Sequence, residues 1–359
     1  MKKTLFTIAG ICYALCASAQ WQWNDPIKQG SKETTFIQNQ GWNEDGGNYF
    51  RLPLRAKNKV RSEVWNLACE TGGLAVRFRT DAREIKIQYT VTGGFSMPHM
   101  PATGVSGVDL YRDSDGAFCF GNYAFGDTIR YAYTVDRKKE KEEMQAYTLY
   151  LPLYNGVRSL NVGVPEGTDF TFLPASEEKP IVLYGTSIAQ GACASRPGMA
   201  WGNIVSRILH CPLINLGFSG NGKLEKEVLD FICEKEARLY ILDCMPNLGD
   251  YTEEEIEERV RKAVLQIRSC HDTPILLIEH AGYANGVSDT KQHNIYTHTN
   301  RAQYHAFEAL KKAGIKGLYY LSREEIGMNP DSWVDYVHPS DYGMMQQAEA
   351  VIRKIRQIP

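Results

Sequence analysis

From residue 181 to the end, short apolar runs alternate with longer amphipathic stretches, and that alternation leaves few folds open to the chain. "IVLYG" (181–185), "PLINLG" (212–217), "RLYILDC" (238–244), "PILLIEH" (274–280) and "IKGLYYL" (315–321) read as buried strands. Between them "MAWGNIVSRIL" (199–209), "LEKEVLDFI" (224–232), "TEEEIEERVRKAVLQIRS" (252–269) and "NRAQYHAFEALKKAG" (300–314) read as helices, with a last helix expected from about Ser340 to Ile358. Thr252 with Glu255 three residues on forms a capping box that fixes one helix start. Repeated strand–helix pairs imply a parallel sheet with helices on both faces. In such sheets function gathers at the carboxyl ends of the strands.

The first half has a different pattern. "LAVRFRT" (74–80), "EIKIQYTV" (84–91), "GVDLYR" (107–112), "YAYTV" (131–135), "AYTLYLPLY" (146–154) and "LNVGV" (160–164) are β-branched and aromatic runs, several alternating with a period of two. No helix is expected between them, so this half reads as an antiparallel β-sandwich. The run "DRKKEKEEM" (136–144) reads as a solvated hairpin or loop. Composition shifts at "PASEEKP" (174–180), which places the boundary between a sandwich domain at 20–175 and an α/β domain at 176–359.

The amino terminus, "MKKTLFTIAGICYALCASAQ", has two lysines before a short apolar run and ends in Ala17-Ser18-Ala19. That is a secretory signal cleaved after Ala19, too short and wrongly flanked for a membrane span. Leu15 before Cys16 argues against a lipoprotein anchor. The expectation is a mature chain without an integral membrane segment, exported to the periplasm or beyond the cell. A formal charge of −2, from 40 basic and 42 acidic side chains, argues against a general nucleic-acid binder. Seven cysteines follow the signal, scattered and without a C-x-x-C pair, so buried free thiols are expected rather than a zinc site.

At the end of the first strand of the α/β half stands "VLYGTSIAQG" (182–191), with Ser187 at a strand-to-helix turn. No lysine follows as a phosphate-binding loop requires, and no G-x-G-x-x-G is present. An ordinary turn serine and a nucleophile remain. A nucleophile needs a base and donors for the oxyanion that forms on attack. Near the carboxyl terminus, "DSWVDYVHPSDYG" sets Asp335 three residues before His338, a spacing that lets a carboxylate orient an imidazole. "INLGFSGNG" (214–222) offers the Gly220 amide after the second strand, and "LDCMPNLG" (242–249) offers the Asn247 side chain after the third.

Ser187, Gly220, Asn247 and His338, in that order with Asp335 beside the histidine, resemble the SGNH (GDSL-type) hydrolases over about residues 178–359. The resemblance implies Ser187 as nucleophile, His338 as general base and then acid, and Asp335 as its orienting partner. It implies an oxyanion hole from the Ser187 and Gly220 amides and the Asn247 side chain, with no metal or organic cofactor. Two departures stand out: Gly-Thr-Ser replaces the usual Gly-Asp-Ser, and "MPNLG" replaces Gly-x-Asn-Asp. Both resemble a branch in which a β-sandwich precedes the hydrolase domain. That likeness implies a carbohydrate esterase removing acetyl groups from plant polysaccharides or oligosaccharides. A lipid-directed esterase or thioesterase, and a catalytically inactive carbohydrate-binding protein, are the alternatives.

Four further residues are candidates for substrate contact. His99 lies in "GGFSMPHMPATGVSGVDLY" (93–111), a loop rich in proline and glycine that either packs between domains or caps the cleft. His280 and Tyr283 lie in "EHAGYANGVSDTKQHN" (279–294), read as a long wall of the site, and Trp333 lies just before Asp335. Trp21, Trp23, Trp42 and Trp65 are expected mostly to fill the sandwich core.

Overall fold

The computed structural model describes residues 20–31, 33–44, 46–135 and 144–359. The expected signal at 1–19 and nearly all of the 136–144 run lie outside the described residues. The first half contains β1 (Trp21–Asn24), α1 (Pro26–Gln29), β2 (Ile37–Gln38), α2 (Ser62–Ala68), β3 (Ala75–Thr80), β4 (Glu84–Val91), α3 (Ala102–Val105), β5 (Asp109–Arg112), β6 (Ala117–Cys119), β7 (Gly121–Ala124), β8 (Ile129–Thr134), β9 (Gln145–Tyr150), β10 (Val157–Pro165) and β11 (Phe170–Phe172). These strands form two antiparallel sheets, ordered β1-β10-β4-β8-β7 and β11-β3-β9-β5-β6, with β2 on the edge of β3. Period-two patterning sets the register. Ile85 and Ile87 of β4 face the core together with Ile129 and Tyr133 of β8, as Glu84–Tyr89 pairs with Thr134–Ile129.

The second half supplies β12 (Ile181–Gly185), α4 (Ser187–Gln190), α5 (Trp201–Leu209), β13 (Leu213–Gly217), α6 (Lys226–Ile232), β14 (Leu239–Asp243), α7 (Glu253–Cys270), β15 (Ile275–Ile278), α8 (Thr290–Lys312), β16 (Leu318–Leu321), α9 (Arg323–Ile326) and α10 (Asp341–Ile355). The sheet is parallel, in the order β13-β12-β14-β15-β16. Every residue of β12, β13, β14 and β15 is buried, as expected for strands covered on both faces. The chain leaves β12 for β13 on one side and then crosses to β14 on the other. Ser187 therefore sits at the point where strand order reverses, the crevice such sheets use for ligands. The capping box at Thr252 and Glu255 is present.

Three expectations need correction. A single helical turn, α3, stands between β4 and β5 where none is expected, and α2, ahead of β3, buries Val64, Trp65 and Ala68 on one face. Helix α8 starts at Thr290, ten residues before the predicted start: Asp289 accepts hydrogen bonds from the Lys291 and Gln292 amides, and that cap outweighs the weak helix propensity of "THTN". The tryptophans do not fill the sandwich. Trp42 and Trp65 are buried with Tyr184, Leu216 and Phe231 on one face of the parallel sheet, while Trp23 is exposed.

The cores explain why. One cluster is the sandwich interior, around Phe78, Ile87, Leu149 and Val162. The clusters on the two faces of the parallel sheet both recruit first-half residues, Trp42, Leu52 and Trp65 on one side and Met100, Val105, Leu153 and Tyr154 on the other. The seven cysteines from Cys69 to Cys270 are free; Cys193, Cys211 and Cys244 are buried and Cys270 is exposed. Among the described residues no helix is long and apolar enough to cross a membrane.

Candidate active site

Ser187 is the first residue of the short helix α4, directly after β12. The Thr186 hydroxyl accepts from the Ile188 amide at 3.4 Å, so threonine fills the capping role at this turn. Ser187 is only 7% exposed, and its hydroxyl lies 3.0 Å from His338 Nε2. His338 Nδ1 lies 2.8 Å from Asp335 Oδ2. The Asp335 Oδ1 atom accepts from the Val337 and His338 amides at 2.8 and 2.7 Å, folding the loop into a turn around the carboxylate. Burial alone would raise the Asp335 pKa; hydrogen bonds from the His338 ring and these two amides outweigh it and hold the carboxyl below its usual value. An ionised Asp335 fixes the Nδ1–H tautomer, leaving Nε2 to accept the serine proton.

The expected oxyanion donors lie on the loops after β13 and β14. Gly220 has a positive φ of 69° and is exposed, and its amide donates to no protein acceptor among the described residues. The Asn247 Oδ1 accepts from the Gly222 amide at 3.0 Å, which assigns the amide orientation and leaves Nδ2 as its free donor group. Gly222 itself is required by close approach: a Cβ there would lie 2.2 Å from the Gly185 carbonyl oxygen. The structure thus links Ser187, His338 and Asp335 by hydrogen bonds and carries Gly220 and Asn247 on the loops after the two strands that flank β12.

Beside His338 opens a cleft of about 350 Å³ lined by Glu63, Leu67, Glu70, Met97, His99, Met100, Tyr154, Ala192, Ser219, Asn221 and His338. The His99 ring stacks on that of His338, with centroids 5.5 Å apart and planes within 22°. The loop that carries it therefore does approach the site. His99, Cys193, Asp335 and His338 also bring ligand-type atoms within 4.8 Å of one another. Asp335 and His338 are already each other's partners, so a cation there would compete with their hydrogen bond.

The other three substrate candidates fare differently. His280 is 1% exposed, and its Nδ1 accepts from the Gly282 amide at 2.9 Å; burial, with Arg323 adding to the effect, lowers its pKa to about 3. It is a buried core histidine, with the Tyr283 ring packed edge-on against it at 4.5 Å, and is not among the residues that line the cleft. Tyr283 is half-buried between His280 and Tyr336, and Trp333 is half-buried against the core with its backbone paired to Pro339. Neither is among the residues that line the cleft.

Sequence reasoning missed the supports of the site. Arg51 is fully buried and donates to the carbonyls of Leu67, Glu70, Asn215 and Gly217. Burial draws the Arg51 pKa down to about 10 and pushes Glu70 up, and each is partly offset by the other's charge. Glu70 accepts from Gln190 Nε2, and Gln190 Oε1 accepts from the Ser219 amide at 3.2 Å. The Tyr154 hydroxyl donates to the Ser187 carbonyl at 3.1 Å. First-half residues therefore hold both the nucleophile helix and the oxyanion loop. A buried arginine or glutamate reads as a surface residue in sequence, so nothing in spacing announced them.

Comparison with known proteins agrees with this geometry. The family model of the GDSL-like Lipase/Acylhydrolase family matches residues 178–356, and that of the N-terminus of Esterase_SGNH_hydro-type, named GxDLY, matches residues 21–170. The chain is similar to a protein from Bacteroides ovatus ATCC 8483 described as a GDSL-like lipase. The two share 30% identity over 94% of this chain and 98% of that one, with a TM-score of 0.84. It shares its fold with the salicylyl-acyltransferase SsfX3 from a tetracycline biosynthetic pathway, at 19% identity, TM-score 0.72 and coverage of 94% and 97%. A family two carbohydrate esterase from Clostridium thermocellum, solved in complex with cellohexaose, also shares the fold at 13% identity, TM-score 0.55 and coverage of 80% and 93%. No curated protein sequence matches. The chain belongs to the GDSL-like lipase/acylhydrolase family of SGNH-type esterases.

Proposed function

We propose that the protein is an exported serine esterase that removes acetyl groups from plant polysaccharides or oligosaccharides. The observation that carries the reading is the continuous hydrogen-bonded chain Ser187–His338–Asp335 at the carboxyl end of the parallel sheet. Ser187 Oγ attacks the ester carbonyl as His338 Nε2 takes its proton, and Asp335 stabilises the imidazolium. The oxyanion rests on the Ser187 and Gly220 amides and Asn247 Nδ2, donors carried at the carboxyl ends of β12, β13 and β14. His338 then protonates the departing sugar oxygen, and a water activated by the same imidazole releases acetate.

The carbohydrate part of the reading draws on the cleft. Its walls mix the thioethers of Met97 and Met100 with Glu70, Tyr154, Ser219 and Asn221, a surface suited to a hydroxylated ring bearing a short acyl group. The fold shared with a carbohydrate esterase supports the same substrate class. The lysine-led apolar leader ending in Ala17-Ser18-Ala19 supports export, where such glycans are met.

The test is acetate release from acetylated xylan and acetylated oligosaccharides, run beside aryl esters from acetate to palmitate. Release from the glycans, with aryl-ester activity falling as the acyl chain lengthens, is expected. Activity that rises with chain length and spares the glycans would replace this reading with a lipid esterase.

A further inference from the structure

We infer that the segment Gly107–Tyr111, "GVDLY", anchors the catalytic centre by acting through Arg196 on a strap, residues 193–198, that follows the nucleophile turn and holds the His99 loop and the helix after His338. This rests on the serine-esterase reading. The anchor is built from buried polar groups. Asp109 is 4% exposed, and its Oδ2 accepts from Arg196 Nη1 at 2.8 Å and from the Gly198 amide at 2.7 Å. The Tyr111 hydroxyl accepts from the same Arg196 nitrogen at 2.6 Å, and the guanidinium lies 3.9 Å over the Phe118 ring. Leu110 plugs the sandwich core. The fit leaves no room for side chains: a Cβ on Gly198 would lie 2.4 Å from the Tyr111 ring, and one on Gly107 would lie 2.3 Å from the Thr103 carbonyl oxygen.

A buried ion pair returns little net stability over an apolar replacement, so what this one supplies is register between the two halves. The strap shows what that register controls. Just before it, the Ala192 amide donates to the Ser187 carbonyl at 2.8 Å. Cys193 Sγ donates to the His99 carbonyl at 3.3 Å, below the ring that stacks on His338. Ser195 donates through its amide and hydroxyl to the two carboxylate oxygens of Asp341, at 2.8 and 2.5 Å, and accepts from Thr103 Oγ1 at 2.7 Å. Asp341 opens α10 three residues after His338. One short strap thus joins the nucleophile turn, the His99 loop and the helix behind the base. Asp109, Tyr111 and Arg196 are positioning residues: they touch neither the nucleophile nor the base.

The experiment is a double-mutant cycle between the two carboxylates that hold the strap, Asp109→Asn and Asp341→Asn. It is read as kcat on an aryl acetate per site titrated with a fluorophosphonate, with KM and melting temperature measured in parallel. Asp109→Asn is expected to lower kcat about tenfold to a hundredfold, the scale of a misplacement near 1 Å. The milder Tyr111→Phe, which removes one acceptor from Arg196, should lower it about threefold, and it stands in if Asp109→Asn does not fold. Coupling of about fivefold or more between the two carboxylates is expected, since side chains that share no contact otherwise act additively. Additive effects, or a loss of titratable sites with unchanged kcat per remaining site, would overturn the inference and leave a purely structural ion pair. A native protein that neither hydrolyses the ester nor reacts with the fluorophosphonate would instead defeat the esterase reading, and the inference with it.

Discussion

The two walls of the cleft come from halves of the chain with different origins, and they differ in what they need from the rest of the protein. The wall that carries chemistry has Ser187, Gly220 and Asn247 just after parallel strands whose every residue is buried, and His338 on the loop before α10. The facing wall, Glu63, Leu67, Glu70, Met97, His99, Met100 and Tyr154, comes from a helix and loops hung on the sandwich. On the first wall a hydrogen bond joins Ser187 to His338, and another joins His338 to Asp335. The second reaches across, with Tyr154 on the Ser187 carbonyl, Glu70 on Gln190 and Arg51 on the Gly217 carbonyl. The sandwich is thus part of the active site's scaffold, since the cores on both faces of the parallel sheet draw residues from both halves.

Substitutions on the two walls should therefore differ in size and in kind. Replacing Asp335 with Asn, which removes the group that sets the His338 tautomer, should lower kcat on an aryl acetate by about 10³-fold or more with KM nearly unchanged. A loss below tenfold would mean that the dyad geometry does not govern the rate. Asn247→Ala should cost about 10²-fold in kcat by removing one oxyanion donor, measured on the same ester. On the facing wall, His99→Ala should act mainly on KM, by about threefold to tenfold, through loss of contact with the substrate beside His338. If His99→Ala instead lowered kcat as much as Asp335→Asn, the division of labour between the walls would be broken.

A smaller effect concerns stability outside both walls. Buried His280 stays neutral in the folded protein down to about pH 3, whereas in the unfolded chain it takes up a proton near 6.5. As pH falls through that window the unfolded state binds the extra proton first. The stability contributed by the neutral ring is then complete above about pH 6.5 and lost toward pH 3, by at most about 1.4 kcal/mol per pH unit. Urea midpoints of native protein and His280→Asn should draw together between pH 7 and pH 5. A gap that stays constant would contradict the burial assigned to this ring.

How much of this was legible in the sequence follows the same division. Chemistry-bearing residues recur at strand ends in a fixed order, and strand ends can be read from apolar runs, so Ser187, Asn247 and the Asp335–His338 spacing stood out. The facing wall is made by tertiary approach. Arg51 and Glu70 carry no local signature, and Asp109 and Tyr111 looked like alternate residues of one more strand. His280 was misread because a histidine after a buried strand has the same sequence appearance whether it faces a cleft or a core. Helix α8 begins before its expected start because the Asp289 side chain caps its first turn, a contact that apolar periodicity does not reveal.

The most direct test of the central claim is labelling with a fluorophosphonate followed by intact-mass and peptide mass spectrometry. It is run on the native protein, Ser187→Ala and Tyr154→Phe, the last removing the hydroxyl that holds the Ser187 carbonyl. The account predicts one adduct on Ser187 in the native protein, none in Ser187→Ala, and the same single adduct formed more slowly in Tyr154→Phe. Labelling at another residue, or labelling that persists in Ser187→Ala, would contradict it.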